Sequence, residues 1–132
     1  DRATVEATFA QLVALAATLD AEQRRATEEG LSEDELALFD LLFKDSISKK
    51  DRERLKQASQ GLLSSLRGLL APMPGWLQNA TTQAEVRVFI LDRLYESLPR
   101  PPFTEAETEE IASRVYDYVW QRSASGQDLA AA

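Results

Sequence analysis

At four places ahead of an apolar helical run a serine or threonine is followed three residues later by an acid: Ser32 with Glu35, Ser48 with Asp51, Thr82 with Glu85, and Thr104 with Glu107. In such a box each side chain satisfies a backbone N–H that the first turn of a helix leaves unpaired. A single match is common by chance. Four matches, each just after a breaker and just before apolar residues at helical spacing, mark helix starts. No segment of appreciable length favours strand, so the expected fold is all-α, an irregular bundle of about five helices.

The steps between apolar residues fill in the elements. Val5, Phe9, Leu12, Val13, Ala16 and Leu19 form one stripe of a long first helix, which turns almost wholly polar from Asp20 to Glu29 and stops at Gly30. Gly30 suits the left-handed position that ends a helix. The second helix is expected to carry Leu36, Phe39, Leu42 and Phe43 inward, with Leu38 and Leu41 at its flanks. The third carries Leu55, Ala58, Leu62, Leu66 and Leu69, widened by Leu63 and Leu70, and ends at Pro72-Met73-Pro74-Gly75. Thr82 is expected to open the fourth, through Val86, Phe89, Ile90, Arg93, Leu94 and Leu98. Pro99-Arg100-Pro101-Pro102 then reads as a stiff extended connector. The fifth follows Thr104, with Ile111, Val115, Tyr118 and Val119. Residues 1–122 are thus expected to form a single helical domain: a long connector helix over 1–29 leading into a compact bundle over 31–122, followed by a frayed tail over 123–132. The chain opens Asp1-Arg2 with no methionine and enters a helical pattern at once, which reads as a boundary inside a longer protein.

Composition narrows the chemistry. There is no histidine and no cysteine. That excludes disulfides, thiolate zinc sites, imidazole bases and the usual nucleophile–base pairs. The five glycines form no phosphate-cradling loop. Consecutive acids at Glu33-Asp34-Glu35, and again among Glu105, Glu107, Glu109 and Glu110, sit where a helix's first turn favours negative charge. No Glu-x-Lys pair of the kind used by metal-dependent restriction nucleases occurs. The fragment is expected to hold no catalytic residue, no cofactor and no metal. The absence of cysteine fits a reducing cytoplasm, and no apolar run is long enough for a membrane span.

With 22 acidic and 15 basic residues the net charge is −7, an unfavourable balance for gripping phosphate. The one local basic cluster is Lys49, Lys50, Arg52, Arg54 and Lys56. Asp51 and Glu53 interrupt it, so its simplest reading is a solvated helix face. Lys49, Lys50, Arg52 and Lys56 are the candidate nucleic-acid contacts, and direct DNA contact is not expected. Trp76, in the turn before the fourth helix, reads either as a plug for the core or as an anchor for a partner. Tyr95, Tyr116 and Trp120 fall partly off their helices' main stripes, and Arg87 flanks the apolar face of its own. With Trp76 they make up the candidate interface set.

Three segments carry a resemblance. The run Glu29-Gly30-Leu31-Ser32-Glu33-Asp34-Glu35-Leu36-Ala37-Leu38-Phe39-Asp40-Leu41-Leu42 resembles the phrase that follows the helicase core in the R (motor and nuclease) subunits of type I restriction enzymes. The helix led by Trp76, through Thr82, Glu85, Val86, Arg87, Leu91, Leu94 and Leu98-Pro99, is similar to that family's tryptophan-led helix with a Val-Arg pair. The closing helix, with Val115, Tyr116 and Val119, resembles the family's last. Residues 46–73 match only as a long amphipathic helix, and the helix around Arg87 is less basic than in many members, offset by Glu85, Asp92 and Glu96. The resemblance implies a cytoplasmic bacterial parent, an ATP-dependent, magnesium-using type I site-specific deoxyribonuclease. It also implies that this region docks the motor onto the M and S methyltransferase subunits or onto its own motor lobes. The residues alone leave two other readings open: a free-standing adaptor or regulatory bundle, and a nucleic-acid-binding bundle using Lys49 to Lys56.

Overall fold

The computed structural model describes residues 2–126 and Leu129; side chains of the first helix are described at 5–15, 17 and from 21 onward. The described residues form five α-helices, α1 (Arg2–Glu29), α2 (Glu33–Leu42), α3 (Lys49–Leu70), α4 (Ala80–Ser97) and α5 (Glu105–Ala124), with a 3-10 turn at Trp76–Gln78. The elements are therefore six, one more than the capping pattern suggests, because the segment before α4 coils rather than running straight into the helix.

Capping chemistry sets most of the starts. Ser32 and Glu35 form a complete reciprocal box at α2, as do Thr104 and Glu107 at α5. Ser48 caps α3 through the Asp51 N–H. At α4 the expectation is corrected. Asn79 is the cap, accepting from Thr81 and Thr82 N–H, and Thr82 lies inside the helix. There its hydroxyl donates to the carbonyls of Trp76 and Asn79, so it ties the 3-10 turn to α4. Gly30, at φ 73°, ends α1 in the left-handed region.

The core lies where α2 is held among α1, α3 and α5, and continues where α4 packs on α3 and α5. Its most buried side chains include Leu38, Phe39, Leu42, Leu55, Leu63, Leu66, Val86, Ile90, Leu94, Val115 and Val119. Two assignments on α2 exchange places. Leu38 is fully buried, whereas Phe43, expected inward, is 44% exposed. Phe43 is the C-cap, in extended backbone, so the chain has already turned away from the core there. The proline connector is likewise not extended. It folds as a turn with cis bonds at Arg100–Pro101 and Pro101–Pro102, closed by the Phe103 N–H donating to Pro99 C=O, and Phe103 is buried. At the other end, where fraying is expected from Ser123, α5 runs on to Ala124 and Leu129 is buried, its carbonyl accepting from Arg67 Nε.

Candidate functional site

Two features of this scaffold can meet a partner: an aromatic cluster between α4 and α5, and the free length of α1. The aromatic cluster gathers four of the five candidate interface residues, Trp76, Arg87, Tyr116 and Trp120. Trp76 is only 3% exposed. Its ring stands edge-on to Tyr116 and Trp120, at 6.0 and 5.6 Å between centroids, and its indole N–H donates to Ser123 Oγ. Tyr116 is also buried, tilted against Trp120, and its hydroxyl has no hydrogen-bond partner. Arg87 lays its guanidinium on the outer face of this cluster, 4.5 Å from the Tyr116 ring centre. Beside it a depression of about 330 Å3 is lined by Arg87, Leu91, Glu109, Ala112, Ser113, Tyr116 and Asp117. Tyr95 joins the same region by donating to Glu109 across 3.4 Å, while Arg100 stacks on its ring. Desolvation, and then the nearby Glu109 and Glu105, push the Tyr95 hydroxyl pKa up. Four of the residues are thus one contiguous assembly, with Trp76 and Tyr116 inside it and Arg87 and Trp120 reaching its surface, while Tyr95 is linked to it through Glu109, which lines the same depression as Arg87.

The basic cluster is split by the fold. Lys49 and Lys50 are exposed at the first turn of α3. Arg52 and Lys56, one turn apart, both reach Glu29 at the end of α1, at 2.6 and 2.8 Å. Arg52 also lies over the Phe39 ring. Hydrogen bonds from Arg52 and then Lys56 hold the Glu29 carboxyl down at about 2. Two of the four candidate phosphate contacts are therefore engaged in fixing α1 to α3, with Arg25–Asp40 adding a link from α1 to α2.

Sequence reasoning missed Asp34. The acidic first turn of α2 reads as dipole compensation, yet Asp34 is a junction for three elements. It pairs with Arg122 at 2.9 Å and with Arg67 at 3.8 Å, and accepts from the Tyr118 hydroxyl at 3.1 Å. Burial, and next the Asp34 charge, push the Tyr118 pKa up to about 12. The contact with Tyr118 spans 84 positions in sequence, so no local spacing announces it. Lys44 plays a similar part for α5, reaching Glu107 at 2.8 Å and the Pro102 carbonyl at 2.9 Å, and this pairing holds the Glu107 pKa below the usual range.

The free length of α1 differs from all of this. Val5, Phe9, Leu12, Val13 and Leu15 are between 52 and 67% exposed. Ala16 and Leu19, expected on the same stripe, lie outside the described side chains. Among the described residues this end of the chain enters the core only near Ala26 and Leu31.

A family model described as "Type I restriction enzyme HindI endonuclease subunit-like, C-terminal" matches residues 1–117, so the exposed part of α1, the α2 box and the α4–α5 cluster up to Asp117 all fall within it. The chain belongs to this family. It is accordingly a C-terminal domain of a type I restriction endonuclease subunit of that type, and it is all-helical over its described residues. Trp120, Arg122 and Leu129 lie beyond the matched span. No curated protein and no solved structure gives a match. Among the described residues no group of three or more acidic side chains comes together as a metal site, and no helix is long and apolar enough to cross a membrane.

Proposed function

We propose that this C-terminal domain is a non-catalytic docking module, which joins the ATP-dependent motor and endonuclease subunit to the M–S methyltransferase core. The observation that carries the reading is the exposed apolar stripe of α1. Five large side chains more than half in water are an unstable arrangement for a solvated helix, since each fully buried one contributes roughly 1.5–3 kcal/mol. Such a stripe on a helix held at one end by Glu29 suits a surface covered by another part of an assembly. The nucleic-acid reading loses support from the same region, because Arg52 and Lys56 are paired within the fold.

The test is to titrate the chain into the cognate M–S methyltransferase and follow complex mass by size exclusion with light scattering. A stable complex that is lost on Phe9→Ser with Leu12→Ser is the expected result. If the double variant binds as well as the parent, α1 is not the contact. If no complex forms at micromolar concentration, the assembly role fails and an intramolecular brace for the motor lobes takes its place.

A further inference from the structure

The outward face of α4 is built differently from that of α1. Val86, Ile90 and Leu94 take α4's inner side into the core, all at or near zero exposure. On the opposite side Ala80, Thr81, Ala84, Glu85, Val88, Phe89 and Asp92 line a shallow depression of about 750 Å3. Val88 is 58% exposed; among the described residues the other exposed large apolar side chains are Phe43 and those of α1. Ala84, one turn before Val88, keeps the ridge low beside it. Glu85 and Asp92 are both exposed and stand a turn before and a turn after Val88, about 10 Å apart along the axis at 1.5 Å per residue.

Two cations neighbour this face, and only one of them, Arg93 at its Phe89 edge, lies against it. Arg87 is turned onto Tyr116. Arg93 lies over Phe89, 5.2 Å from its ring centre, and within 3.9 Å of Glu96. What is left open is an apolar centre between two carboxylates, on a chain of net charge −7.

We infer that the outer face of α4 is a second docking surface, and that it takes a basic amphipathic helix from a protein partner. The partner helix places an apolar side chain on Val88 and Ala84, and two arginines or lysines, two turns apart, on Glu85 and Asp92. The match is one of charge and spacing: residues seven apart share a helix face. A second copy of this chain does not fit, because its own α4 would set carboxylate against carboxylate. The inference does not depend on what α1 binds.

The probe is a synthetic alanine-rich helical peptide of about 20 residues, roughly 30 Å long, with one leucine midway between two arginines two turns apart. It is titrated into the intact chain at low salt and followed by fluorescence anisotropy. A twin carries glutamates in place of the arginines. The expected result is saturable binding of the arginine peptide, none of the glutamate twin, and weakening of about tenfold or more on Val88→Glu, a difference near 1.4 kcal/mol. Glu85→Gln with Asp92→Asn should remove most of the salt dependence. Val88 is exposed, so V88E should keep the parent's thermal transition; if it does not, Val88→Ala reads the apolar contact without the added charge. The inference is overturned if the arginine peptide does not saturate, if both peptides bind alike, or if the Val88 variants and the carboxylate pair leave binding unchanged. Self-association of the chain through Val88 would overturn the choice of partner.

Discussion

Helices α1 and α3 are written in the same grammar and live in opposite surroundings. Both run beyond 20 residues, and both carry large apolar side chains at steps of three and four. Along α3 that stripe disappears into the core, with Leu55, Leu62, Leu63, Leu66 and Leu70 all buried. Along α1 the stripe from Val5 to Leu15 stands in water, and among the described residues the helix joins the core at its last turns. Periodicity therefore reports that a face is made to be covered. It does not report whether the cover belongs to the same domain. Ion pairs sharpen the contrast, since Glu29 collects two cations where α1 meets the bundle.

The largest effect should come from removing a ring on each side of that divide. Phe39→Ala is expected to cost about 3–5 kcal/mol by opening a cavity beneath α2, whereas Phe9→Ala, at 67% exposure, should change stability by less than about 0.5 kcal/mol. Thermal or denaturant unfolding of the two variants checks this. Equal losses would mean that α1's stripe is packed within the domain in solution, and the comparison would collapse. Next in size is Asp34→Ala, which leaves Arg122 and the Tyr118 hydroxyl without their common partner and should cost about 1–3 kcal/mol. A loss well below that range would leave Asp34 a surface acid of no structural weight.

How much of this was legible beforehand follows from the range of each interaction. Ser32 with Glu35 and Thr104 with Glu107 are local, and both boxes are built as their spacing implies. The box at Thr82 fails because Asn79, three residues earlier, is a competent cap, and Thr82 is drawn instead to the carbonyl of Trp76. Leu38 is buried because a ten-residue helix packed on several sides has no single stripe to read, and Phe43 is exposed because the backbone has already left the helix there. At the candidate surface, the residue types were readable and their grouping was not. Arg87 and Tyr116 belong to different helices, and only packing sets one on the other. Asp34 and Val88 gave no local signal, the first being paired across the chain and the second exposed by the turn of α4.

Two smaller effects complete the comparison. Thr104→Ala should cost about 1 kcal/mol, with α5 starting later, as read by hydrogen exchange over its first turn. If exchange there is unchanged, the box at α5 is ornamental. The clamp at Glu29 should respond to acid and leave the bundle largely intact. Its carboxyl is held at about 2 in the fold against an ordinary 4.5, so its contribution is complete above the ordinary value and is lost as pH falls from 4.5 towards 2. A distance probe between α1 and α3 should broaden through that window, and Glu29→Gln should show the broadened distribution already at neutral pH. A probe that stays sharp in both cases would place the attachment of α1 in Ala26 and Leu31 alone.

That clamp has a mechanical meaning. A helix of 28 residues is about 42 Å long, and its ion pairs to α2 and α3, from Arg25 and Glu29, lie within its last turns. Geometry then works as leverage: a pivot of about 10° at Glu29 sweeps the far tip through about 7 Å, more than one helical turn. The carboxylate shared by Arg52 and Lys56 is the bearing of that arm. Its stiffness governs how faithfully a load at the tip is passed to the bundle, and how closely the bundle can aim the tip.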